Sequence, residues 1–117
     1  MENKTVVLCA ASAYEEKYYL NEIFGRLPSQ IKEELQIMCV LYTQKVGGIF
    51  IVEFDEEGNL MFRTEAAEND FMYDEIGSAL EIKELQRTKE ELLRALELYY
   101  KMVILGEGMT SDSIDSE

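Results

Sequence analysis

The chain has 117 residues, the size of one domain, and 47% of them are hydrophobic, which supports a real core and excludes a wholly disordered chain. Acidic residues outnumber basic ones 24 to 11, and the net charge of −13 repels nucleic acid phosphates and anionic membranes. There is no histidine, so a Ser-His-Asp or Cys-His centre and the usual zinc sets are closed, and a non-enzymatic module is favoured over an enzyme.

Thr5 to Cys9 is β-branched and apolar and reads as a short buried strand. The apolar stretch to Ala11 is too short for an export signal, and Leu8 occupies the place where a lipobox needs a small residue, so a cytoplasmic location is expected. Ser12-Ala13-Tyr14-Glu15 has the form of a capping box. It predicts a helix over 13–24 with Tyr14, Tyr18, Tyr19, Ile23 and Phe24 on its apolar side, ended by Gly25.

Pro28 suits the first turn of the next helix or the residue before it. Ile31, Leu35, Met38 and Tyr42 then recur on one helical face, and Gly47-Gly48 end the segment. Residues 37–43 also satisfy a strand, and the sequence leaves both readings open, with helix preferred for the good helix formers at 32–36. Cys9 and Cys39 both lie in apolar runs. They read as buried thiols of a reducing compartment, with a disulfide or redox pair as the competing reading.

The segments 49–55 and 59–65 alternate clearly, with Ile49, Ile51 and Glu53 on one face and Phe50, Val52 and Phe54 on the other. Glu56-Glu57-Gly58-Asn59 joins them as a hairpin loop rather than a calcium loop, because its glycine is misplaced for an EF-hand and strands flank it. Residues 65–75 form an acidic loop whose charges should face water, with the aromatic pair Phe71 and Tyr73 expected to pin it to the body. Glu65, Glu68, Asp70, Asp74 and Glu75 are weak candidates for a divalent cation site; a solvated acidic loop is the plainer reading, and no cofactor is expected.

Ser78-Ala79-Leu80-Glu81 reads as a second capping box opening a long helix over 79–105, about 40 Å at 1.5 Å per residue. A heptad-like seam runs through Ile82, Leu85, Lys89, Leu92, Leu96, Tyr99 and Val103, and Lys89 argues against an ideal coiled coil. Residues 106–117 are polar and acidic and read as a disordered tail.

Four runs carry a resemblance: Cys39-Val40-Leu41, Val46-Gly47-Gly48, Glu53 to Leu60, and Asp74-Glu75-Ile76-Gly77-Ser78. Together they resemble a family of small acidic proteins of unknown function from anaerobic gut bacteria, over most of the chain up to about Leu105. The resemblance implies a cytosolic bacterial protein and carries no activity, cofactor or functional residue.

The reading is therefore a single α+β domain over 1–105. A small antiparallel sheet built on the 49–55/59–65 hairpin, with 5–9 as a possible third strand, is flanked by helices. So small a sheet leaves apolar area to cover, which points to a homodimer through the long helix, at Leu85, Leu92, Leu96 and Tyr99, or through the hairpin face, with a monomer closed by the 13–24 and 29–45 helices as the rival. The expected function is a self-associating protein–protein interaction or regulatory module, with neither nucleic acid nor membrane as partner. The alternatives are a small cation-dependent enzyme or cation-binding protein using 65–75, and an acidic decoy for a basic protein.

Overall fold

A computed structural model describes residues 4–106. The β-branched run after Thr5 forms strand β1 (Val6–Ser12), which turns back into β2 (Lys17–Leu20). A short 3-10 turn, Glu22–Phe24, leads to helix α1 (Ser29–Val46). The hairpin β3 (Ile49–Phe54) and β4 (Leu60–Glu65) follows, then α2 (Glu75–Thr88), α3 (Glu90–Tyr99) and a π-helical turn, Tyr100–Leu105. The fold is α+β, with one antiparallel sheet in the order β2-β1-β3-β4.

The alternation of β3 dictates where the helices go. Phe50, Val52 and Phe54 are fully buried on one face, and each apolar side chain removed from water there contributes roughly 1.5–3 kcal/mol. Tyr42 of α1 stacks on Phe50 with ring centroids 4.0 Å apart. Tyr100 stacks on Phe54 at 4.2 Å, and Phe24 joins the same cluster. Helix α1 crosses β1 and β3, α3 lies on β4, and α2 bridges α1 and α3. On the other sheet face Arg63 reaches diagonally to Glu53 at 3.1 Å, so the nearly buried carboxylate of Glu53 is paired.

Residues 37–43 are helical, as the spacing from Ile31 favours, with Met38, Cys39, Tyr42 and Thr43 buried. Pro28 stands just before the helix and accepts from the Lys32 N–H. The hairpin loop also forms as expected, with Gly58 at φ 90°. Asn59 belongs to that loop rather than to β4, because its N–H and side chain are both held by Asp55.

Three expectations are corrected. The helix over 13–24 is instead the β1–β2 hairpin. Ser12 Oγ does accept the Glu15 N–H at 3.2 Å, but the chain then reverses through Glu16 at φ 52°, and residues 17–20 pair with 9–12. Of the predicted helix only the turn at 22–24 remains, capped by Asn21. The sheet therefore has four strands.

The helix predicted from 79 begins at Glu75. Asp74 is its N-cap, accepting the Gly77 N–H at 2.8 Å, so Ser78 lies inside the helix and faces the core. Nor does the helix run unbroken to 105. Thr88 Oγ1 donates back to the Glu84 carbonyl at 2.8 Å, a bond that bends helices, and Lys89 leaves helical geometry at φ −109°, ψ 21°. The break lets the Lys89 ammonium leave the apolar seam and reach Glu34 on α1 at 3.5 Å. The buried seam is then Leu85, Leu92, Leu96 and Tyr100, with Tyr100 in place of Tyr99. The tail expected over 106–117 falls, from 107 on, outside the described residues.

Candidate interaction surface

The segment between Arg63 and Lys83 has six carboxylates and no basic residue. Its loop, 66–74, is tied down on both sides. On one side the Tyr14 phenol, at the tip of the β1–β2 turn, donates to Asp70 Oδ2 at 2.6 Å and accepts the Ala67 N–H at 2.9 Å. The hydrogen bond to Asp70 holds the Tyr14 phenol above its ordinary value. Within the loop Asp70 Oδ1 accepts the Met72 N–H at 3.0 Å.

On the other side the anchor is buried. Tyr73 donates to Ser78 Oγ at 3.0 Å, and the Tyr42 hydroxyl meets the same oxygen. Burial pushes the Tyr42 phenol up to about 12. The ring of Tyr73 lies over Gly48, where a Cβ would stand 2.7 Å from the ring and 2.7 Å from the Glu65 carbonyl oxygen. Gly48 is at φ 72°, so both the backbone conformation and the close approach require glycine. The sequence marks Gly47-Gly48 only as a helix stop; its role in seating Tyr73 depends on contacts far along the chain.

What this anchored loop presents is apolar. Phe71 and Met72 are 90% and 89% exposed, and Ile76 and Leu80 on the outer side of α2 are 77% and 63% exposed. The expectation that the aromatic pair Phe71 and Tyr73 pins the loop therefore holds for Tyr73, which reaches a buried hydrogen-bond partner, and is corrected for Phe71. Beside the patch a groove of about 520 Å³ opens between β4 and α2. It is lined in part by Tyr73, Glu75 and Ala79, which neighbour Met72, Ile76 and Leu80 in sequence.

The sequence-predicted residues take the following places. Asp70 and Asp74 are committed to the loop and to the start of α2, and Glu65 pairs with Arg63. Glu68 and Glu75 are exposed. Among the described residues no three acidic or thiol groups are gathered as a cation would need. Leu85, Leu92 and Leu96 lie in the chain's own core, and Tyr99 is half-buried against it. Sequence reasoning passed over Ile76 and Leu80, although their spacing of four on a helix that begins at Glu75 would have found them.

The family of unknown function DUF6145 has a model that matches residues 5–108. This chain belongs to DUF6145. No curated protein and no solved structure matches it. No helix among the described residues is long and apolar enough to cross a membrane.

Proposed function

We propose that this DUF6145 member is a non-enzymatic interaction module whose recognition surface is the acidic-rimmed apolar patch of Phe71, Met72, Ile76 and Leu80. Its occupant is a basic segment of another protein that carries apolar side chains, as one face of an amphipathic helix does. The observation that carries this reading is the anchoring: hydrogen bonds on both flanks hold a loop whose two largest apolar side chains face water. An unanchored loop would be free to fold those side chains away, and large apolar side chains held exposed among charges mark a contact site. Of the six carboxylates Glu65 pairs with Arg63 and Glu81 with Lys45, and the remaining four supply the charge complementarity, which speeds encounter and selects against acidic partners. Two free, buried thiols suit a cytoplasmic location.

The test uses a synthetic lysine/leucine amphipathic helix as probe, titrated into the protein at low and high salt. The expected result is saturable binding that weakens with salt and is lost when the leucines are scrambled off one face. No saturable binding, or equal binding of the scrambled peptide, would overturn the reading.

Self-association is a second reading, and a specific observation favours it. Leu98 and Met102, four residues apart, are 58% and 65% exposed beside half-buried Tyr99. On this reading Tyr99 borders the contact, and Leu85, Leu92 and Leu96 serve it by setting the helix on the sheet. Copies carrying −13 each repel one another, so salt would strengthen a homodimer while weakening capture of a basic peptide. Mass by light scattering across the same salt range separates the two.

A further inference from the structure

Cys9 on β1 and Cys39 on α1 come from segments 30 residues apart, yet their sulfurs lie 3.7 Å from each other, both free and fully buried. The third polar group at this point is the Tyr18 hydroxyl on β2. It is buried, has no hydrogen-bond partner among the described residues, and lies within electrostatic reach of both sulfurs. An unpartnered buried hydroxyl is costly, and in a site with no reactive role a phenylalanine would serve better. Strand β2 is one edge of the sheet and only four residues long, the kind of segment in which local opening concentrates. A groove of about 500 Å³ runs between β1–β2 and α1, and Tyr18 lines it together with Ala11, Gln36, Val40 and Thr43. The groove therefore brings solvent, and an oxidant the size of hydrogen peroxide, as far as the Tyr18 side chain.

We propose that Cys9 and Cys39 are a modification site, converted by peroxide into an intramolecular disulfide that ties β1 to α1. One sulfur attacks a peroxide oxygen; the O–O bond breaks, a sulfenic acid forms and one water leaves. The second sulfur attacks the sulfenic sulfur, the S–O bond breaks and a second water leaves. Two thiols and one peroxide thus give one disulfide and two waters, with the sulfurs oxidised and the peroxide reduced. The hydrogen bond shared with Cys9 and burial hold the Cys39 thiol above its ordinary value, so the reaction is slow beside that of an exposed thiolate. Bond formation needs the sulfurs to close from 3.7 Å to about 2 Å, by side-chain rotation and a small approach of α1 to β1. The consequence reaches the interaction surface: the turn of the cross-linked β1–β2 hairpin carries Tyr14, the outer anchor of the 66–74 loop.

The experiment treats the full, folded chain with hydrogen peroxide, quenches it, alkylates under denaturing conditions and maps the peptides. The expected result is a linked Cys9–Cys39 peptide, a raised melting temperature, and return of both thiols and of the original melting temperature with dithiothreitol. Cysteines recovered alkylated, oxidised singly to sulfinic or sulfonic acid, or joined between chains would overturn the proposal. So would a cross-link that forms only when urea is present during oxidation.

Discussion

The loops at 55–59 and 66–74 are both acidic, and in both an aspartate folds back to accept a backbone N–H two residues on. Asp55 Oδ1 takes the Glu57 and Asn59 N–H groups at 2.9 Å, and Asp70 Oδ1 takes that of Met72 at 3.0 Å. They differ in what stands at the tip. The first loop shows Glu56 and Glu57 to water, as a hairpin connection should, while the second shows Phe71 and Met72. The second is also anchored far more widely, through Tyr14 on another hairpin and through Ser78 in the core. The lesson is that the local turn chemistry is shared, while the long-range anchors separate a connection from a display.

The largest expected effect strikes the anchor of the second loop. Gly48→Ala puts a Cβ at φ 72° against the Glu65 carbonyl and Tyr73, and should cost roughly 2–3 kcal/mol in chemical denaturation. Ser78→Ala leaves two tyrosine hydroxyls at a buried point without their shared partner, and should cost about 1–3 kcal/mol. Its sharper signature is faster amide exchange across 66–74 with 55–59 unchanged. Gly58→Ala acts on the first loop. Its φ of 90° is unfavourable for alanine, but the nearest atoms belong to the flexible Lys101 side chain, so about 1–2 kcal/mol is expected.

Smaller still is an acid effect confined to the first loop. The Asn59 N–H above all, with those of its neighbours, holds the Asp55 carboxyl below its ordinary value of 3.8. A lowered folded value means that the stabilisation is present above the unfolded value and is lost as pH falls through the folded one. Melting of the wild type and of Asp55→Ala should therefore differ at about pH 6 and converge toward about pH 2.

Much of this fold was legible. The strict alternation of residues 49–54 placed one face of the sheet in the core, and the spacing of Leu35, Met38 and Tyr42 placed α1 upon it. The β1–β2 hairpin was not legible, because its turn lacks the glycine that marks 55–59: Glu16 takes the positive φ, and Ser12 makes in the turn the hydrogen bond it would have made as a helix cap. That competition is settled by the open edge of β1, which a local pattern does not reveal. Ser78 misled for a related reason, since a serine before an apolar run reads as a cap, whereas here Asp74 caps and Ser78 serves two tyrosines from other elements. The surface was half legible. The charge run stands in the sequence, but the exposure of Phe71 and Met72 follows from anchors at Tyr14, Tyr42 and Gly48, all more than 20 positions away.

The most direct measurement is amide chemical-shift mapping of the lysine/leucine helix on the isotopically labelled protein. The account predicts shifts concentrated on 68–84, with 17–44 and 98–104 quiet. Shifts centred on the groove beneath Tyr18 or on the Leu98–Met102 strip, or no shifts at a peptide concentration that saturates the titration, would contradict it.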